Sequence, residues 1–200
     1  MLRLLLATNN PGKLHELMPL LGDVFLHIVI SNTLGLHLEV EETGTTYAEN
    51  ARLKAAAFAR ASGLLTLADD SGLEVDALNG APGVYSARYA GAEASDADRR
   101  AKLIQVLRQV PAPRRARFRC IIAIAQPSGA IDCFEGICAG EIILEERGAN
   151  GFGYDPVFYL PEQGCTMAEL PSAVKNQISH RARAVQAARL FLHRLATNHC

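Results

Sequence analysis

The sequence predicts an α/β protein, and three observations predict it. Short apolar runs of strand length alternate with segments of helical periodicity along the chain. The first such run passes into a helix through Thr8-Asn9-Asn10-Pro11-Gly12-Lys13, a strand-to-helix turn of phosphate-binding type. No internal repeat or low-complexity tract breaks the alternation. The 200 residues fit one domain, or two intimately packed lobes, with ample core.

The elements follow in order. Leu2 to Ala7 has the length of a buried strand, and Leu14, Leu17, Leu20 and Leu21 recur at helical spacing behind it. Between them, Gly12 tolerates backbone angles that free N–H groups, and Pro11 suits a first helical turn. The N–H groups of that turn and the helix dipole favour an anion. Lys13 adds a point charge, and Thr8, Asn9 and Asn10 add uncharged donors; an ordinary strand-to-helix turn with a solvated Lys13 is the competing reading. The usual P-loop is excluded: Ala7 stands where it needs Gly, and Leu14 follows Lys13 where it needs Ser or Thr. Val24 to Ile30 reads as a second strand. Thr46 with Glu49 is a capping box for an alanine-rich helix to about Arg60, ended by Gly63.

Leu64 to Ala68 is a short buried strand running into Asp69-Asp70-Ser71-Gly72, and Gly80-Ala81-Pro82-Gly83 is a tight turn. Ser95 with Asp98 caps a helix, apolar at Leu103, Ile104, Val106, Leu107 and Val110. Pro111-Ala112-Pro113 marks the plausible lobe boundary. Phe118 to Gln126 and Ala130 to Cys138 form a hairpin about Pro127-Ser128-Gly129, with Glu141 to Glu145 as its continuation. Asn150 to Pro156 is a glycine-rich loop leading into a strand from Val157 to Leu160. The last helix spans about Ser179 to Ala196.

Composition bounds the function. Formal net charge is −1, so no global field recruits nucleic acid, and a polyanionic ligand must be held by local groups. The apolar runs are too short to span a bilayer, and Leu2 to Ala7 is too short for a signal-peptide core. Five cysteines without a C-x-x-C pair read as reduced thiols of a cytoplasmic protein, not a zinc site.

The candidate chemistry is carried by carboxylates and cations. Glu41-Glu42 and Asp69-Asp70 each follow a short strand, where carboxylates converge on a site in an open α/β sheet. With a phosphate ligand they suggest Mg²⁺, which takes only one or two protein carboxylates. Asp70 is also a candidate general base toward a water. Favoured turn-starting residues are the competing reading of that pair. Lys175, His180 and Arg181 cluster before and within the last helix, whose Arg183, Arg189 and Arg194 form a solvated face. Phe152 or Tyr154 offers a stacking face for a base, with Tyr154 the better candidate for core packing.

Together these segments are far more specific than any one. Thr8-Asn9-Asn10-x-Gly12-Lys13, Glu49-Asn50-Ala51 with Lys54, Ala68-Asp69-Asp70-Ser71-Gly72-Leu73, Gly80-Ala81-Pro82-Gly83-x-Tyr85-Ser86-Ala87-Arg88, Gly151-Phe152-Gly153-Tyr154-Asp155-Pro156 and Lys175-Asn176-x-Ile178-Ser179-His180-Arg181 occur in that order. The chain resembles, over essentially its whole length, the inosine/xanthosine triphosphate pyrophosphatase family of the bacterial RdgB-like type. The resemblance implies an elongated mixed sheet flanked by helices, with two lobes about a central active-site cleft in a single domain of residues 1–200. It implies Mg²⁺-dependent hydrolysis of ITP, dITP and XTP to the monophosphate and pyrophosphate, commonly by a homodimer. By this similarity Thr8, Asn9, Asn10, Pro11, Gly12 and Lys13 hold the triphosphate, and Asp70 is proton acceptor and metal ligand. Glu41 is a further metal ligand in that reading, its neighbour Glu42 being the alternative, and Ser71 contacts substrate. Phe152, Gly153, Tyr154, Asp155, Lys175, His180 and Arg181 recognise the purine and its neighbourhood.

Overall fold

The computed structural model describes residues 2–22 and 27–197. It is a mixed α/β structure with seven strands hydrogen-bonded in the order β2-β1-β3-β4-β5-β6-β7. These are β1 (Arg3–Leu6), β2 (His27–Ile30), β3 (Leu65–Val75), β4 (Arg115–Ala125), β5 (Ile131–Ile142), β6 (Phe158–Leu160) and β7 (Cys165–Thr166). β1 pairs in parallel with β2 and β3, whereas β6 pairs antiparallel with β5 and β7. The helices are α1 (Pro11–Leu21), α2 (Tyr47–Ser62), α3 (Asp96–Leu107), α4 (Ser172–Ile178) and α5 (His180–Thr197). Among the described residues, no helix is long and apolar enough to cross a membrane.

Local sequence accounts for most boundaries. The capping boxes of α2 (Thr46 with Glu49) and α3 (Ser95 with Asp98) both form, and Gly63 ends α2 at φ 68. The β4–β5 hairpin closes through Gln126 N–H to Ala130 C=O at 2.9 Å, and β5 ends at Ile142. Val24, Phe25 and Leu26 of the expected second strand lie outside the described residues, as does Cys200; the remaining four residues form β2.

Two strand expectations are corrected. The strand expected to stop at Ala68 runs on through Asp69, Asp70, Ser71 and Gly72 to Val75, so the paired carboxylates lie mid-strand. Residues 36–44, ahead of and across Glu41, form no strand. The last helix, expected from about Ser179 to Ala196, is α5, and a short helix that was not expected, α4, precedes it across Ser179, extended at φ −66 and ψ 158.

The chain divides into two compact units. The first comprises residues 1–70, 120–136 and 181–200, and the second 71–119 and 137–180. The divisions thus fall within β3, β4 and β5 and before Arg181, while Pro111-Ala112-Pro113 lies inside the second unit. The first unit packs Leu4 and Leu6 of β1, Leu17 and Leu21 of α1, and Leu65 and Leu67 of β3. Cys120, Ile122 and Ile124 of β4 join them, with Ala184, Val185, Ala188 and Leu192 of α5. The core of the second unit joins Leu73 and Val75 to Leu103 and Leu107 of α3, and to Phe118, Phe158, Tyr154 and Met167.

Candidate active site

In the first unit, β1 delivers the chain into the turn at Thr8. Asn10 caps α1, its Oδ1 accepting from the Lys13 N–H at 3.1 Å, and Pro11 occupies the first helical turn. Thr8 Oγ1 accepts from the Asn10 N–H at 3.2 Å, and Asn9 Oδ1 accepts from Ser31 Oγ at 3.1 Å. The turn is therefore shaped by its own side chains. Lys13 reaches from it to Asp69, with Nζ 3.1 Å from Oδ2.

β3 places Asp69 and Asp70 side by side in sequence, and alternation along a strand turns their side chains to opposite faces. Asp69 is 1% exposed and takes Arg181 Nη2 at 3.0 Å on the same oxygen that faces Lys13. Burial alone would raise its carboxyl, but Lys13, Arg181 and Lys54 outweigh that and hold it well below the usual carboxylate range. Arg181, 1% exposed, also pairs with buried Glu16 of α1. Two carboxylates compensate its burial and hold the guanidinium charged. Cys120 Sγ lies 4.0 Å from Asp69 Oδ2; burial, and then the Asp69 charge, push that thiol up to about 12.

Asp70 faces α2. Its Oδ2 accepts from Asn50 Nδ2 at 3.1 Å, and Lys54 Nζ stands 4.0 Å from Oδ1. Burial raises the Asp70 carboxyl above its ordinary value; Lys54 and Lys13 oppose the rise without cancelling it, and Glu42 adds to it. Lys54 also donates to Glu42 Oε1 and to the Asp69 carbonyl, each at 2.7 Å. Burial favours its neutral form, but Asp69, Asp70 and Glu42 together keep it charged. Glu41 is exposed, so of the adjacent pair it is Glu42 that joins this cluster. Among the described residues, no group of three or more His, Cys, Asp or Glu side chains could hold a metal ion.

The second unit holds the remaining candidates. Ser71 follows on β3, half-buried. In the loop 150–156, Asp155 Oδ2 accepts from the Phe152 N–H at 2.9 Å and from Lys175 Nζ at 2.5 Å. A Cβ on Gly151, which has φ +75, would lie 2.0 Å from Asp155 Oδ2, so glycine makes room for this buried pair. The Lys175 ammonium is 5.3 Å from the Phe152 ring centroid, and Phe152 is half-buried. Tyr154 belongs to the core, with its hydroxyl donating to the Ser86 carbonyl at 2.9 Å. His180 is buried and stacks on Phe118 at 4.7 Å between centroids.

The structure thus brings Lys13, Asp69, Asp70, Glu42, Lys54, Asn50 and Arg181 together in one unit, and Phe152, Asp155 and Lys175 together in the other. A model of the Ham1 family matches residues 4–191. The chain belongs to the Ham1 family. It is 53% identical over 195 residues to a dITP/XTP pyrophosphatase of Desulforamulus reducens, covering 97% of each chain. It is 47% identical over 190 residues to a dITP/XTP pyrophosphatase of Vibrio cholerae, covering 93% of this chain and 94% of that one. Among solved structures, the Ham1 protein of Staphylococcus aureus superposes with a TM-score of 0.86 at 44% identity, covering 96% of this chain and 99% of its own.

Sequence reasoning gave no role to Asn50, Lys54 and Glu16 of this Ham1 family member, and read Asp69 only as one of a pair of strand-end carboxylates. A signal existed for two of them. Asn50 and Lys54 are four apart, hence on one face of a helix whose start is fixed by a capping box. Glu16 carried none, because Arg181, which explains its burial, is 165 residues away.

Proposed function

We propose that the chain hydrolyses non-standard purine nucleoside triphosphates, dITP/ITP and XTP/dXTP, to the monophosphate and pyrophosphate, clearing them from the nucleotide pool. The observation that carries the reading is the ion pair of Lys13 with Asp69, which ties a helix-N-terminal anion turn to a strand carrying the buried carboxylate Asp70. The homologous dITP/XTP pyrophosphatases support it.

The turn Thr8 to Lys13 binds the triphosphate through the Gly12 N–H at the positive end of α1, the side-chain donors of Thr8, Asn9 and Asn10, and the Lys13 ammonium. Glu42 and Asp70 share the Lys54 ammonium, so this pocket of negative charge already attracts a cation. One or two carboxylates completed by waters and phosphate oxygens are the donor set that suits Mg²⁺, and Glu42 with Asp70 would hold it. When bound, Mg²⁺ supplies polarisation of the phosphoryl oxygens and a more acidic water. Asp70 takes the proton of the attacking water, and Asn50 fixes the orientation of its carboxyl. Lys54 balances the charge of Asp70 and Glu42 when the phosphates enter. Phe152 stacks on the purine, and Lys175, Asp155 and His180 define its surroundings. Arg181 acts through Asp69, since its guanidinium is buried on Asp69 and Glu16. We further propose a cytoplasmic homodimer.

Pyrophosphate release from a panel of triphosphates, with and without Mg²⁺, tests the reading. Release from dITP and XTP, far above that from ATP and lost on chelation, is the expected result. Orthophosphate as the first product would overturn it.

A further inference from the structure

We propose that Asp96 and Arg100, at the start of α3, are positioning residues that set the base-reading loop, residues 150–156; the proposal rests on the assignment of that loop to the purine. Gly153 has φ +63, a left-handed conformation that glycine adopts without strain. Both of its backbone polar groups are held from α3. Asp96 Oδ2 accepts from the Gly153 N–H at 2.8 Å, and Arg100 Nη1 donates to the Gly153 carbonyl at 2.9 Å. The two side chains are four residues apart and therefore share a helix face. Charge-assisted bonds of this kind are the stronger ones.

Each clamp is itself fixed. Asp96 Oδ1 accepts from Arg99 Nη1 at 2.6 Å, and Arg100 Nε lies 3.0 Å from Glu146 Oε2. The capping box of Ser95 and Asp98 fixes the first turn of α3, where the helix dipole favours the Asp96 carboxylate. Other ties hold the residues on either side of Gly153: Phe152 N–H to Asp155 Oδ2, Asp155 N–H to the Phe152 carbonyl at 3.3 Å, Lys175 on Asp155, and the Tyr154 hydroxyl on the Ser86 carbonyl. Those ties hold Phe152, Tyr154 and Asp155, and α3 holds the backbone of the residue between them, Gly153. Phe152 and Tyr154 flank Gly153, so a rotation of that residue displaces the stacking ring. The phosphate-binding residues and Asp70 belong to other segments of the chain, and so the effect falls on base recognition.

The test uses the full chain and pyrophosphate release from dITP and dGTP with Mg²⁺, for wild type, Asp96→Ala, Asp96→Asn and Arg100→Gln. Asp96→Ala is expected to raise KM for dITP about tenfold, the cost of one lost charge-assisted hydrogen bond, with kcat nearly unchanged. The dITP-to-dGTP ratio of kcat/KM moves toward one. Asp96→Asn keeps a carbonyl oxygen for the Gly153 N–H and recovers most of the loss. Arg100→Gln, which shortens the donor and removes its charge, shifts KM and the ratio in the same direction, and carries the test alone if Asp96→Ala does not fold. Wild-type KM and ratio in the folded variants, or a change confined to the melting temperature or kcat, overturns the proposal. A wild-type chain that releases no pyrophosphate from dITP overturns the reading of function itself, and the two failures are thereby distinct.

Discussion

Asp69 and Asp70 are consecutive, alike in composition and both buried, yet their surroundings push them in opposite directions. Three cations hold Asp69 ionised, whereas burial raises Asp70 and leaves it a better proton acceptor than an ordinary aspartate. Asp70→Asn is therefore expected to fold, since the amide oxygen still accepts from Asn50, and to lose ~10²–10⁴ of activity with the general base. Pyrophosphate release and a thermal melt check both halves; near-normal turnover in a folded variant would sink the role of Asp70. Lys13→Ala is expected to weaken all triphosphates alike, because the turn proposed to hold the phosphates carries no base information. Titration with ITP and ATP reads this, and a loss confined to one base contradicts it. Arg181→Ala leaves Asp69 and Glu16 buried with less compensation, at a cost of about 3–5 kcal/mol, measured by denaturant unfolding. A loss below about 1 kcal/mol would show that neighbouring cations suffice.

At the scale of elements, α2 carries Asn50 and Lys54 to Asp70, and its start decides where they stand. Thr46 Oγ1 accepts from the Glu49 N–H at 3.2 Å while Glu49 Oε2 accepts from the Thr45 and Thr46 N–H groups. Thr46→Ala is expected to cost about 1 kcal/mol and to lower kcat, through loosened placement of Asn50, more than it raises KM. A melt together with kinetics checks it; a stability loss with unchanged kcat would detach the cap from the site. This cap was legible in Thr46-x-x-Glu49 because a capping box is local chemistry, and so were that of α3 and the strand–turn–helix at Thr8. The continuation of β3 was not. Asp-Asp-Ser-Gly has the composition of a turn, and becomes strand only because Lys13, Arg181 and Asn50, from 20 to 112 residues away, compensate the buried carboxylates. The same distance hid Glu16, while α4, only seven residues long, was too short to show a helical apolar period of its own.

For the whole molecule, neither compact unit is a continuous stretch of chain. The first unit draws its core from three segments, and the last of them, α5, closes it with Ala184, Val185, Ala188 and Leu192, all at most 2% exposed. α5 also supplies Arg181 to Asp69 and Glu16. A chain ending at Ser179 loses both contributions. Burial of Val185 and Leu192 alone is worth roughly 1.5–3 kcal/mol each. The unpaired buried carboxylates add about 3–5 kcal/mol. The sum of these losses, about 6–11 kcal/mol, approaches or exceeds the ~5–15 kcal/mol that holds an average domain folded. The expected outcome is a truncated chain without a cooperative thermal transition and without near-ultraviolet dichroism, even at low temperature. Restoring residues 180–197 as a separate peptide should recover some of that signal, since the apolar face of α5 and Arg181 both find their partners within the first unit. A truncated chain that melts cooperatively near the wild-type temperature would show instead that the core of that unit is complete without α5.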